Sequence, residues 1–73
     1  IDRTFIDEND VRWIIDYKTG EHMGANLETF LNNERDRYHN QLNQYENLFK
    51  QLGETRPIKK ALYYPMHKEL LVF

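Results

Sequence analysis

The chain has 73 residues, of which 40% are hydrophobic and 30% are charged, and its formal net charge is −2. These values predict one globular domain at most and exclude a disordered chain, while the lack of cysteine excludes disulfides and thiolate metal sites. No apolar run approaches the roughly 18 residues of a membrane span, and the chain lacks the basic surplus of a free-standing nucleic-acid binder.

Residues 1–18 predict a β-hairpin, because isoleucine, phenylalanine, valine and tryptophan dominate its two arms. The sequence "DEND" at 7–10 supplies the turn between them. A three-residue loop at 8–10 is preferred, and it needs one left-handed residue, which Asn9 or Asp10 can supply.

The loop length sets the register of the hairpin. The three-residue loop places Phe5 opposite Trp13 and Asp2 opposite Asp16. A two-residue loop would place Asp2 opposite Tyr17 and would lose the aromatic pair.

A long helix follows the glycine-containing loop at 19–26. From Leu27 to Leu52 the apolar residues recur in steps of three, four and seven, which is typical of a helix with one buried face. Asn26 is the expected N-cap and Gly53 the expected stop, so the helical unit covers 26–52.

Two further strands are predicted in the unit 58–73. "IKKALYY" at 58–64 is the third strand, closed by Pro65, and "ELLVF" at 69–73 is a shorter fourth. The predicted fold is therefore α+β, a mixed sheet with the helix packed on one face. The whole chain 1–73 is interpreted as a single, partial domain.

The stretch "WIIDYKTG" at 13–20 places an acid and a lysine two residues apart on one strand face. If Asp2 lies opposite Asp16, the two carboxylates repel unless a proton or a cation lies between them. Both acids and the carbonyl of Tyr17 suit Mg²⁺, which prefers oxygen ligands, and Lys18 could act on the attacking water or on phosphate. The alternative is a solvated strand face with an ordinary ion pair, which by pattern alone is the commoner case.

The long helix carries one polar residue on its apolar stripe. Gln41 lies four residues before Tyr45, so the two side chains point the same way. Gln41 is expected to bond a buried backbone group, although it could instead face a polar cavity together with Tyr45.

Four segments carry a family resemblance: "IDR" at 1–3, "WIIDYKTG" at 13–20, "RYHNQLNQY" at 37–45 and "ALYYP" at 61–65. In order and spacing the chain resembles the C-terminal nuclease domain of bacterial RecB/AddA-type helicase-nucleases. That domain is the exonuclease V β-subunit branch of the PD-(D/E)xK superfamily.

The resemblance implies a function and a set of site residues. Asp2 matches the first acid of the family, Asp16 the second and Lys18 its lysine, while Gln41 and Tyr45 match its helical motif. It implies an Mg²⁺-dependent DNA exonuclease, with Mn²⁺ as substitute, that acts in double-strand-break repair and recombination. For the longer protein, the resemblance implies a location in the bacterial cytoplasm and a complex with other subunits. It also implies that ATP is used only by a separate motor domain.

Family members also carry a helix, a strand and a further metal-site residue before the first acid. The chain is therefore expected to be truncated at its N-terminus, to be inactive or nearly so alone, and to self-associate. His22 and His39 are expected to be surface residues, and Asp10 stands where many relatives have a turn glycine.

The side chains of several aromatic and basic residues are expected to have structural roles. The aromatic residues are expected in the core rather than as a platform for nucleic-acid bases: Trp13, Tyr17, Tyr63 and Tyr64. The lysines are expected in solvent rather than on phosphate: Lys59, Lys60 and Lys68.

Two other function classes are open. One is a catalytically inactive PD-(D/E)xK scaffold that binds DNA or a partner subunit. The other is an unrelated small interaction module. A measurement of metal binding distinguishes the three classes, because only the nuclease requires a metal ion to bind at Asp2 and Asp16.

Overall fold

A computed structural model describes residues 1–19 and 26–73 as one four-stranded sheet and one helix. The elements, in chain order, are β1 (Arg3–Ile6), β2 (Arg12–Tyr17), α1 (Leu27–Gln51), β3 (Ile58–Tyr64) and β4 (Glu69–Val72). The sheet has the order β1-β2-β3-β4, with β2 and β3 parallel and both outer pairs antiparallel. The predicted α+β class, with a mixed sheet, is confirmed.

The hairpin has the register of the three-residue loop. Phe5 pairs with Trp13 and Arg3 with Ile15, and Asp10 supplies the left-handed residue with a φ of 62°. The Asp7 carboxylate accepts hydrogen bonds from the Trp13 indole at 2.8 Å and from the backbone of the turn. These bonds, led by the indole, lower the pKa of Asp7.

The predicted ends of the helix are confirmed. The Asn26 side chain accepts a hydrogen bond from the Thr29 N–H at 2.7 Å, as an N-cap residue does. Gly53 has a φ of 98°, a left-handed conformation that favours glycine and stops the helix. Within residues 1–19 and 26–73, no helix is long and apolar enough to span a bilayer.

Helix α1 covers one face of the sheet and runs antiparallel to β2 and β3. Its first turns lie at the end of β3, where the Phe30 ring is 5.5 Å from that of Tyr64. Its last turns lie at the start of β2, where the Arg12 guanidinium is 5.4 Å from the Phe49 ring. The core lies between them and consists of fully buried side chains: Ile14, Leu42, Leu62 and Tyr64.

Within residues 1–19 and 26–73 no helix covers the other sheet face, and this corrects the expectation for the aromatic residues. Tyr64 is fully buried, as expected, but Tyr17 is 44% exposed and Trp13 and Tyr63 are half-buried. The physical reason is the alternation of side chains along a strand. Helix α1 packs on the face of Asp16 and Tyr64, so the rings of Tyr17 and Tyr63 project from the opposite one.

The lysine at position 60 also departs from expectation. Lys60 is half-buried, because it lies on the face under α1 rather than in solvent. Its ammonium contacts Asn43 at 2.7 Å and Glu46 at 2.8 Å. Lys59 and Lys68 are exposed, as expected.

A cluster of charges joins the hairpin turn to the segment after the helix. Glu54 accepts hydrogen bonds from the Arg56 N–H at 3.0 Å and the Arg12 guanidinium at 2.9 Å. Arg56 also contacts Asp10 at 2.7 Å. The Arg56 N–H, followed by the Arg12 guanidinium, lowers the pKa of Glu54 from 4.5 to about 2.

This pKa shift predicts acid sensitivity. A carboxyl group with a lower pKa in the folded state stabilises the fold above its unfolded pKa, and its contribution is lost as pH falls through the folded value. We expect the free energy of unfolding to fall between about pH 4.5 and about pH 2, and Glu54→Gln to flatten that slope. Urea unfolding at several pH values in this range measures the free energy of unfolding and its slope with pH. Glu8→Gln, in the exposed turn, is the matched control and should keep the wild-type slope.

Candidate metal-binding and catalytic site

Asp16 is a buried acid at the end of β2, under the helix. Its exposed fraction is 4%, and its Oδ1 atom accepts no hydrogen bond from the described residues. The amino group of Ile1 lies 3.4 Å from that atom. A buried carboxylate oxygen that has an ion pair but no hydrogen bond can still accept a further ligand.

Asp2 lies beside the same end of β2. Its N–H donates to the Ile15 carbonyl at 3.2 Å, and its Oδ2 accepts a hydrogen bond from the Tyr17 N–H at 2.8 Å. The N–H and C=O of one strand residue point to the same side of the strand. The Tyr17 carbonyl therefore faces the side on which Asp2 lies. Two acids and this carbonyl are the oxygen donors that the sequence proposed, and all three belong to this corner of the sheet.

Lys18 extends β2 beyond Asp16 and is half-buried. Its N–H donates to the Tyr63 carbonyl at 2.8 Å, which holds its backbone against β3. Its ammonium lies 4.0 Å from the centre of the Tyr38 ring of α1. An aromatic face attracts a cation at this distance, so Tyr38 positions the Lys18 ammonium at the helix–sheet boundary.

The predicted pairing of Gln41 with Tyr45 is observed, but its environment corrects the expectation. The Gln41 side-chain amide donates to the Tyr45 hydroxyl at 3.2 Å. Gln41 itself is exposed rather than bonded to a buried backbone group, because Leu42 occupies the central position under the helix. The Tyr45 ring packs against the core cluster.

Glu34 is a buried acid that the sequence interpretation missed. It is 7% exposed, and its carboxylate lies 3.9 Å from the Arg37 guanidinium. Burial, and then the negative charge of Glu34, raise the pKa of Tyr64. A signal was present, because Glu34 fills the gap between Leu31 and Tyr38 in the apolar stripe.

His39 does not add to the site. His39 is exposed, as expected, and stacks on Phe73 with 6.5 Å between the ring centres. His22 lies outside the described residues. Among residues 1–19 and 26–73, no group of three or more His, Asp or Glu side chains converges as a metal site. The candidate site therefore consists of two carboxylates and one backbone carbonyl.

Comparisons with protein-family models, with curated proteins and with solved structures found no match to this chain.

Proposed function

We propose that this chain is part of the nuclease module of a bacterial helicase-nuclease, which in the longer protein hydrolyses phosphodiester bonds of DNA with the help of Mg²⁺. One observation carries the proposal: Asp16, two residues before Lys18, is buried, and its Oδ1 accepts no hydrogen bond from the part of the chain that the structure describes. A hard cation would supply a ligand bond to that oxygen, whose charged neighbour among the described residues is the Ile1 amino group at 3.4 Å. An ordinary solvated ion pair would leave Asp16 exposed.

The donor set fits Mg²⁺. The carboxylates of Asp2 and Asp16 and the carbonyl of Tyr17 would hold the ion, and water fills the remaining positions of an Mg²⁺ shell. All three donors are oxygen atoms, and none is a thiolate or an imidazole, which are the ligands that zinc and copper prefer. Mn²⁺ accepts the same donors and is the practical substitute.

Each remaining residue of the site has a distinct role. A bound Mg²⁺ would polarise the phosphate and lower the pKa of a coordinated water. The Lys18 ammonium, held by the Tyr38 ring, would orient the attacking water and offset negative charge on the phosphoryl oxygens. Gln41 and Tyr45, joined by their hydrogen bond, would contact DNA from the helix or support the site.

The proposal extends to the process, the cellular location and the partners of the longer protein. The module would act in repair and recombination in the bacterial cytoplasm, with ATP used only by a separate motor and with other subunits of the complex as partners. Self-association of the 73-residue chain stays a prediction. The strand β1 lies at an edge of the sheet, and its outer hydrogen-bonding groups offer a surface for it.

Calorimetric titration of the chain with Mn²⁺ tests the proposal. We expect one site in the wild type, at least tenfold weaker binding in Asp16→Asn, and wild-type binding in Asp36→Asn. The control removes the same charge from an exposed position on α1. Equal affinity in Asp16→Asn and the wild type would remove the basis of the proposal and leave a scaffold or an interaction module.

A further inference from the structure

Lys18 and Asp16 lie two residues apart on one strand face, but they do not pair with each other. Side chains at positions i and i+2 of a strand are neighbours, and the long, flexible stem of a lysine could reach the acid. Instead, the Lys18 ammonium lies 4.0 Å from the centre of the Tyr38 ring. Among residues 1–19 and 26–73, the ion partner of Asp16 is the Ile1 amino group. A group other than Asp16 therefore determines where the Lys18 ammonium lies.

Glu34 is the buried acid on the helix side of this position. It lies one helical turn before Tyr38, so the two side chains share the face of α1 that packs on the sheet. Burial, and then the negative charge of Glu34, raise the pKa of Tyr64, which indicates that the carboxylate is near the Tyr64 hydroxyl. Lys18 reaches the same end of β3, since its N–H donates to the Tyr63 carbonyl at 2.8 Å. Glu34 and Lys18 therefore meet at one end of β3, the first above it on the helix and the second beside it in the sheet.

The charge of Glu34 is only partly balanced by its neighbour on the helix. The Arg37 guanidinium lies 3.9 Å from the Glu34 carboxylate, and the Arg37 side chain is 70% exposed. Water screens the attraction to so exposed a cation, whereas charges inside a fold are screened much less. The Glu34 carboxylate therefore acts mainly on the space under the helix, where the half-buried Lys18 ammonium lies.

We propose that Glu34 and Tyr38 are positioning residues that hold the Lys18 ammonium at the boundary between α1 and the sheet, away from the Asp16 carboxylate. The Tyr38 ring attracts the cation directly, and the Glu34 carboxylate attracts it through the protein interior. Without these two residues the ammonium would turn back onto Asp16. It would pair there with the oxygen that accepts no hydrogen bond from the described residues.

The inference rests on the proposed function and extends it to two further residues of α1. A lysine paired with Asp16 would occupy the carboxylate that is proposed to bind Mg²⁺, and its positive charge would repel the ion. With the ammonium on the Tyr38 ring, the Asp16 oxygen is open to the ion and the lysine stays beside the site. Glu34 and Tyr38 would thus allow the chain to bind the ion and to keep Lys18 ready for the phosphate.

NMR of the metal-free chain tests the position of the ammonium. An aromatic ring shifts the signals of protons above its face upfield, so the Lys18 side-chain signals should be shifted upfield in the wild type and not in Tyr38→Leu. Glu34→Gln keeps the shape of the side chain and removes its charge, and it should reduce the shift. Glu28→Gln makes the same change at an exposed position of α1 and should keep the wild-type shift. Acetylation of the N-terminus, which removes the amino charge beside the site, should also leave the shift unchanged.

Calorimetric titration of the acetylated chain with Mn²⁺ tests the consequence for metal binding. Loss of the contact between cation and ring predicts about twofold to thirtyfold weaker binding in Tyr38→Leu, because Lys18 then competes for Asp16. This effect should vanish when the lysine is absent, so Tyr38→Leu combined with Lys18→Met should bind Mn²⁺ as Lys18→Met alone does. A loss caused by misfolding would persist in the double variant, and thermal unfolding verifies that each variant is folded.

Three results would overturn the proposal. These are unshifted Lys18 signals in the wild type, equal shifts in Glu34→Gln and the wild type, and weaker Mn²⁺ binding in Tyr38→Leu that Lys18→Met does not restore. Equal Mn²⁺ affinity in Tyr38→Leu and the wild type, together with lost binding in Asp16→Asn, would overturn it as well but leave the proposed nuclease. Upfield-shifted Lys18 signals in a chain that takes up no Mn²⁺ would support the positioning of the lysine and remove the nuclease.

Discussion

Alanine in place of Asp16 or Lys18 should abolish DNA cleavage by a helicase-nuclease that carries this chain, while its ATP-driven unwinding continues. Asp16→Ala removes a carboxylate that would hold the ion, and Lys18→Ala removes a cation that Tyr38 holds and that would lie near the reacting phosphate. The loss of one preorganised charge-stabilising group commonly lowers turnover by about a hundredfold to a thousandfold. Removal of a metal ligand should cost at least as much.

Two measurements on the same preparation check this prediction. Release of acid-soluble nucleotides reports cleavage, and strand separation of a labelled duplex reports unwinding. Asp36→Ala, at an exposed position of α1, is the matched control and should retain both activities. Equal loss of cleavage and unwinding in Lys18→Ala would contradict separate sites.

Leu62→Ala should destabilise the fold by about 2–5 kcal/mol. Leu62 is fully buried between the sheet and α1, and it forms the core cluster with Leu42 and Tyr64. A domain of this size is stable by about 4–11 kcal/mol in total. The variant therefore loses a large part of its stability, and a substantial fraction of it should be unfolded at 37 °C.

Urea unfolding monitored by Trp13 fluorescence measures this loss. Leu52→Ala is the control, because Leu52 is 76% exposed at the helix end and its substitution should change stability by less than about 0.5 kcal/mol. Similar midpoints for Leu62→Ala and Leu52→Ala would mean that the face under α1 is not the core.

Local sequence signals were sufficient to predict the elements of this fold. The turn at 7–10 set the hairpin register, because Asp10 tolerates the left-handed conformation that a three-residue loop needs. Asn26 and Gly53 set the helix ends for equally local reasons, a side-chain acceptor and a permissive backbone. Strand β3 was predicted at 58–64, where the structure places it.

The side of the sheet that the helix covers could not be read from the hairpin. Both faces of β2 mix apolar and polar residues, so alternation alone does not decide which one is buried. This is why Tyr17 was expected in the core and Lys60 in solvent, whereas Tyr17 is 44% exposed and Lys60 is half-buried under α1. Tertiary packing of α1 on the face of Asp16 decides both.

The candidate site was predictable only in part, because local spacing can be read from the sequence and tertiary packing cannot. The spacing of Asp16 and Lys18 is a property of one strand, and the pairing of Gln41 with Tyr45 is a property of one helix. The burial of Asp16, and of Glu34 on the helix, depends on contacts between distant segments. Those contacts turn a common strand pattern into a candidate for metal chemistry.

Paramagnetic broadening of amide NMR signals by Mn²⁺ tests the central claim, that a divalent ion binds at the end of β2, most directly. A stoichiometric amount of Mn²⁺ should broaden the amide signals of Asp2, Asp16, Tyr17 and Lys18 first. In Asp16→Asn these signals should stay sharp at the same Mn²⁺ concentration. Broadening centred on Asp36 or Glu28 of α1, with the signals of Asp16 and Lys18 unchanged, would contradict the account.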